Sequence, residues 1–85
     1  MNVKRAVEIL DEDSSDPSKK NGVLGGLQIL KNYYADLDEK IDLSEAGIFV
    51  GDFDMFVLYM SEEEVREMGK FGWIYHEDDN GWMHV

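Results

Sequence analysis

The sequence predicts an α+β domain, with two or three helices packed on one face of a small, mainly antiparallel sheet of three or four strands that ends in a C-terminal β-hairpin. Three observations predict it. Apolar residues recur at helical spacing in the first half of the chain, a capping-box sequence opens a further helix at Ser61, and Asn80-Gly81 lies between two apolar segments near the end. Eighty-five residues make one domain, 1–85, because a second hydrophobic core could not be built from what remained. With 44% hydrophobic and 12% aromatic residues the chain has material for a core despite 32% charged residues, so a compact fold is expected rather than disorder.

Val3, Ala6, Val7 and Leu10 fall at i, i+3, i+4 and i+7, the signature of one helix face, with Asn2 as its cap. A polar stretch over residues 11–22, holding the single proline, reads as a surface loop. A second helix is expected over residues 23–37, with Val23, Leu27, Leu30, Tyr34 and Leu37 on one stripe and Ile29 and Tyr33 widening it. Gly25 and Gly26 weaken such a helix by roughly 1 kcal/mol each relative to alanine, which fits a second backbone packed closely against them. No strand or GxGxxG spacing accompanies them, so a phosphate-binding role is disfavoured.

Residues 36–45 read as an acidic connection and residues 46–51, bounded by glycines, as a short strand. Residues 53–60 are apolar and rich in Phe, Val and Tyr, so they read as a second strand, although so short a run is compatible with a helical turn. Ser61 and Glu64 form the capping box of a third helix, and Gly72 stands where a left-handed C-terminal residue is expected. Residues 73–76 and 82–85 flank the turn of the hairpin, made either by Asn80-Gly81 alone or by a four-residue loop with Gly81 left-handed. The pleat then puts Trp73, Tyr75, Trp82 and His84 on one face, and Ile74, His76, Met83 and Val85 on the other.

Composition limits function. The chain has no cysteine, which excludes a disulfide framework and thiolate metal sites. Met1 to Glu8 holds two basic residues with no apolar stretch behind them, so it does not read as a signal peptide, and no run approaches the roughly 20 apolar residues of a membrane span. A cytoplasmic protein without membrane contact is expected. Nineteen Asp and Glu against eight Lys and Arg give a net charge of -11, which repels nucleic acid and anionic lipid alike, so direct binding to DNA or RNA is not expected.

No cofactor, metal or catalytic residue is expected. Asp11-Glu12-Asp13-Ser14-Ser15 opens like a calcium loop, but Asp16 stands in place of the glycine and Gly22 in place of the bidentate glutamate. Asp36-Leu37-Asp38 fails similarly at Lys40. His76 and His84 fall on opposite faces of the hairpin and so do not converge on an ion. His76 is expected at a sheet margin, and His84 as a packing neighbour of Trp73 or Tyr75. Ser44 lacks the flanking glycine of a nucleophile elbow. What remains is dense acid. A folded chain of this length has a diameter near 30 Å, and 30 Å of duplex carries roughly 18 phosphates, so nineteen carboxylates approach the charge density of DNA.

The segments Leu24-Gly25-Gly26-Leu27-Gln28-Ile29-Leu30-Lys31-Asn32-Tyr33, Met60-Ser61-Glu62-Glu63-Glu64-Val65, Phe71-Gly72-Trp73 and Gly81-Trp82-Met83-His84-Val85 resemble small acidic proteins of unassigned function encoded by bacteriophages and prophages. The resemblance implies a setting in which such proteins inhibit host machinery, including restriction and CRISPR nucleases, in some cases by mimicking nucleic acid. The expected function is therefore non-enzymatic: an acidic inhibitor of a host nucleic-acid-binding protein, acting through a basic protein surface. Glu62, Glu63 and Glu67 on the third helix and Glu77, Asp78 and Asp79 at the hairpin are the expected contact residues, since the core requires none of them. A homo-oligomeric structural adaptor, such as a homodimer, is the alternative, and a small enzyme ranks last.

Overall fold

A computed structural model describes residues 1–13 and 22–84, and shows the predicted α+β class. The first helix, α1, runs Val3–Asp13, three residues into the stretch read as loop; the rest of that stretch up to Asn21, and with it most of the first calcium-like pattern, lies outside the described residues. Asn2 caps α1 as expected, its Oδ1 accepting the Arg5 N–H at 2.8 Å.

The second helix, α2, is Val23–Lys31, shorter than the periodicity predicts. Beyond Asn32 the chain unwinds into turns and a 3-10 turn at Leu37–Glu39, which returns Leu37 to the core. The glycine pair has the close packing expected of it, but from aromatic side chains and not a backbone. A Cβ on Gly26 would run into Trp73 Nε1, and one on Gly25 would meet the Phe71 ring at 2.8 Å. The Trp73 indole fits so closely there that its Nε1 donates to the Gly22 carbonyl at 3.1 Å.

Two hairpins form one antiparallel sheet. Strand β1, Ile41–Ser44, falls in the segment read as a connection and pairs with β2, Gly47–Gly51. Apolar and polar residues do alternate in Ile41-Asp42-Leu43-Ser44, but over too few positions to stand out among acids. Ser44 Oγ accepts the Ala46 N–H at 3.2 Å in the turn, and Gly47 has φ 146°, a conformation that favours glycine.

The segment after β2 corrects the sequence reading. Phe53–Tyr59 is a helix, α3, and not a strand. Phe53, Phe56, Val57 and Met60 are buried at i, i+3, i+4 and i+7, whereas Leu58 and Tyr59 are exposed. Helical spacing with one face in the core outweighs the β-preference of the individual residues.

The fourth helix, α4, Glu62–Lys70, has the expected capping box and ends as predicted. Trp73 N–H reaches the Met68 carbonyl and Gly72 N–H the Gly69 carbonyl, both at 3.0 Å, with Gly72 at φ +92°; this is a Schellman motif. Strands β3, Ile74–His76, and β4, Gly81–His84, make the C-terminal hairpin, with Tyr75 opposite Trp82 and Ile74 opposite Met83. The predicted faces therefore hold for the described residues. The left-handed residue of the four-residue loop is Asn80 (φ 47°), not Gly81, since Gly81 pairs with His76 inside the sheet.

The strand order is β1-β2-β4-β3, so the last strand made lies at the centre. Val50 opposite Trp82 sets the inner face, on which Phe53 packs against the Trp82 ring at 4.6 Å between centroids. Trp73, Trp82, Phe53, Phe56, Ile9 and Leu30 are fully buried, each contributing about 1.5–3 kcal/mol or more by removal from water. α4 packs chiefly on α1 and also on α2. The longest dimension is 29 Å.

Candidate functional site

The six acids singled out by sequence occupy two surroundings. Glu62 and Glu63 lie in the first turn of α4 and Glu67 one turn further. Glu77, Asp78 and Asp79 form the 3-10 turn of the hairpin loop. That loop is fixed against the start of α3, because the Asn80 carbonyl accepts the Phe53 N–H at 2.8 Å and Asn80 Nδ2 donates to Asp54 at 3.0 Å. The start of α4 follows the other end of α3, about 10 Å along the helix axis at 1.5 Å per residue.

Around α4 several acids are held by arginines. Arg5 of α1 reaches Glu62 at 2.9 Å and Glu8 at 3.5 Å, and Arg66 reaches Glu12 at 3.2 Å. The hydrogen bond and charge of Arg5 hold the Glu62 carboxyl below the usual range, and the same bond raises Arg5. Glu63 is exposed and Glu67 half-buried. Glu64 has a different task. Its carboxylate accepts from the Tyr33 hydroxyl, the Ser61 N–H and the Ser61 hydroxyl, joining the residues after α2 to the cap of α4. Burial alone would raise its pKa, but these donors outweigh burial and hold it below the usual value. The bond to Glu64, aided by burial and by the nearby charge, pushes the Tyr33 phenol up to about 12.

At the hairpin the acids gather. The loop brings Glu77, Asp78 and Asp79 beside Asp52 and Asp54, five exposed carboxylates at one corner of the molecule. Lys40 reaches Asp52 at 3.6 Å, and the His76 Nδ1 lies 3.0 Å from Asp79, a charged pair only when the imidazole is protonated. His76 is otherwise held edge-on to Phe49, 5.3 Å between centroids, at the margin expected for it. His84 stacks edge-on against Trp73 at 5.3 Å and meets the Phe71 carbonyl at 3.0 Å, a packing position.

Asp52 and Asp54 were not among the residues expected from sequence. Their signal was Asp-x-Asp around the first residue of the stripe Phe53, Phe56, Val57, Met60, which only a helical reading of that segment exposes. Among the described residues no Asp or Glu is buried, and no group of three or more His, Asp or Glu is placed to hold a metal ion. No helix among them is long and apolar enough to cross a membrane. Compared with family models, curated proteins and solved structures, the chain matches none.

Proposed function

We propose that this chain is a non-enzymatic acidic binding protein that occupies a basic, normally nucleic-acid-binding site on a host protein, the mode of an anti-restriction or anti-CRISPR inhibitor encoded by a phage or mobile element and acting in the host cytoplasm. The observation that carries the reading is the acidic corner: five exposed carboxylates from two segments distant in sequence, with Lys40 and His76 as the basic groups at contact distance among the described residues. Carboxylates at a turn and a helix start present charge as a spaced array, as phosphates do, and complementary charge steers an opposing basic site onto it. Association driven this way is fast and weakens steeply with salt, because charges on the surface are screened beyond about 8 Å at physiological ionic strength.

The test is capture of binding partners on the immobilised chain at low and high salt, followed by competition between the chain and nucleic acid for the protein retained. The triple variant E77K/D78K/D79K is expected to lose the partner, while E62K/E63K/E67K retains much of the binding. Equal retention by both variants, with salt dependence unchanged, would mean that the acids only solvate the surface.

A second reading, a homo-oligomeric adaptor, draws support from the outer sheet face. There Phe49, Met83 and Ile74 lie in one row across β2, β4 and β3, with Ile74 37% exposed. Sedimentation at increasing concentration separates the two: a mass that doubles, and reverts on Ile74→Lys, favours the adaptor.

A further inference from the structure

The sheet has an open side that the acidic corner does not use. Among the described residues β1 is an edge strand, paired with β2 alone. Its hydrogen-bonding parity follows from the two-residue turn: Ser44 opposite Gly47 closes the hairpin, and Gly51 N–H bonds the Lys40 carbonyl at 3.2 Å, so the even-numbered residues bond β2. The backbone N–H and C=O groups of Ile41 and Leu43 therefore point away from β2, at the open edge.

Beside that edge lies a cavity of about 620 Å³ between α2 and the 3-10 turn, within the size range of ligand-binding clefts. Leu24, Leu27, Leu37 and Ile41 give it an apolar lining. The apolar surface continues outward, since Leu24 is 65% and Leu43 71% exposed. Ile41 and Leu43 project from the same face of β1, as alternate residues of a strand do. The rim is acidic, formed by Asp36, Asp38 and Glu39. Of the nearby cations, Lys40 is drawn to Asp52 and lies 5.1 Å over the Tyr34 ring, which leaves Lys31 against three carboxylates.

We infer that this groove takes an extended segment of a partner protein as a fifth strand on β1, with a large apolar side chain on the leucine floor and a Lys or Arg beside the Asp36, Asp38 and Glu39 rim. Open backbone groups at Ile41 and Leu43 supply the ladder, alternate side chains supply the selection, and the acid rim sets the sign of the flanking charge. Local charge opposes a second copy of this chain in the same place. The register that sets Ile41 against Leu43 of another copy puts Asp42 directly opposite its own equivalent, and like charges so placed destabilise a pair. The groove uses the acidic corner only through the pairing of Lys40 with Asp52, and the inference stands whether or not the corner binds.

The test uses three heptapeptides with blocked ends: alternating lysine and leucine, alternating lysine and serine, and alternating glutamate and leucine. Binding is followed by fluorescence anisotropy and by amide chemical shifts on the full chain. The lysine–leucine peptide is expected to bind, to shift Ile41, Leu43 and Leu27 most, and to lose about tenfold in affinity for each of Leu24→Asp and Leu43→Glu. Both leucines are exposed, so these variants are expected to keep the wild-type melting temperature. E77K/D78K/D79K is expected to leave the groove shifts in place, which distinguishes failure of this site from failure of the corner. Equal binding of the lysine–serine peptide, shifts confined to residues 76–80, or no binding at millimolar peptide would overturn the inference. So would a dimer of the chain that dissociates on Leu43→Glu, since a second copy would then be the occupant.

Discussion

Glu62 and Asp79 count equally toward the net charge, yet the fold gives them opposite settings. Glu62 lies across from α1, whose Arg5 holds it at 2.9 Å. Asp79 lies in a loop that delivers three acids to two more at the start of α3. The α1–α4 layer holds several of its acids with its own arginines, whereas the hairpin corner gathers five carboxylates around one lysine and one histidine. Net charge alone therefore does not locate an interaction surface, and the placement of a few arginines decides which acids remain available.

The largest effect expected from this contrast is on binding. Reversing the corner with E77K/D78K/D79K should weaken capture of a basic partner by at least about a hundredfold, and E62K/E63K/E67K by less than about tenfold, both read by titration at fixed ionic strength. A larger loss from the α4 set would invert the comparison.

On stability the ranking reverses, because the α4 region is where carboxylates do structural work. Glu64→Ala removes the capping box and the acceptor of Tyr33, so a loss of about 2 kcal/mol is expected in urea unfolding. Tyr33→Phe keeps the cap and loses one bond to a charged group, for about 1 kcal/mol. Neither change should alter binding at the corner.

The same pair carries a pH dependence with opposite limbs. Glu64 has a lowered pKa in the folded state, so its contribution is present above the unfolded carboxylate value and is lost as pH falls through the folded one. Tyr33 has a raised pKa, so its contribution is complete below the ordinary phenol value near 10 and is lost as pH rises toward about 12. Melting temperatures of Tyr33→Phe should accordingly converge on those of the wild type at both extremes. A constant offset from acid to alkali would show that the bond to Glu64 is not the source.

The smallest effect is expected at the exposed ion pair. Glu62→Gln should leave the melting temperature unchanged within error, since pairs of this exposure contribute little. Added salt should instead stabilise the wild type by screening the corner, and should do so less for E77K/D78K/D79K.

What could be read in advance follows the locality of each signal. The cap at Ser61, the stop at Gly72 and the C-terminal hairpin are set by a few neighbouring residues and form as expected, with Asn80 and not Gly81 as the left-handed residue of the turn. Residues 32–60 were less legible. Lys31 ends α2 although Tyr34 and Leu37 continue its period, because Tyr33 and Tyr34 bond Glu64 and Glu39 and not one common face. α3 was misread because Phe, Val and Tyr favour strands one by one while their spacing favours a helix. That error hid Asp52 and Asp54, and with them half of what defines the corner. Strand order was beyond local signals, since it depends on β4 inserting beside β2 from a distant part of the chain.

The most direct test of the central claim is an amide chemical-shift titration of the chain with the basic nucleic-acid-binding domain of the captured partner, at low salt and at high salt. The corner account predicts the largest shifts at residues 52–54 and 76–80, small ones on α1 and α4, and loss of both on adding salt or excess nucleic acid. Shifts centred on Glu8, Glu12 and Glu62 to Glu67, or shifts at the corner that survive high salt and excess nucleic acid, would contradict it.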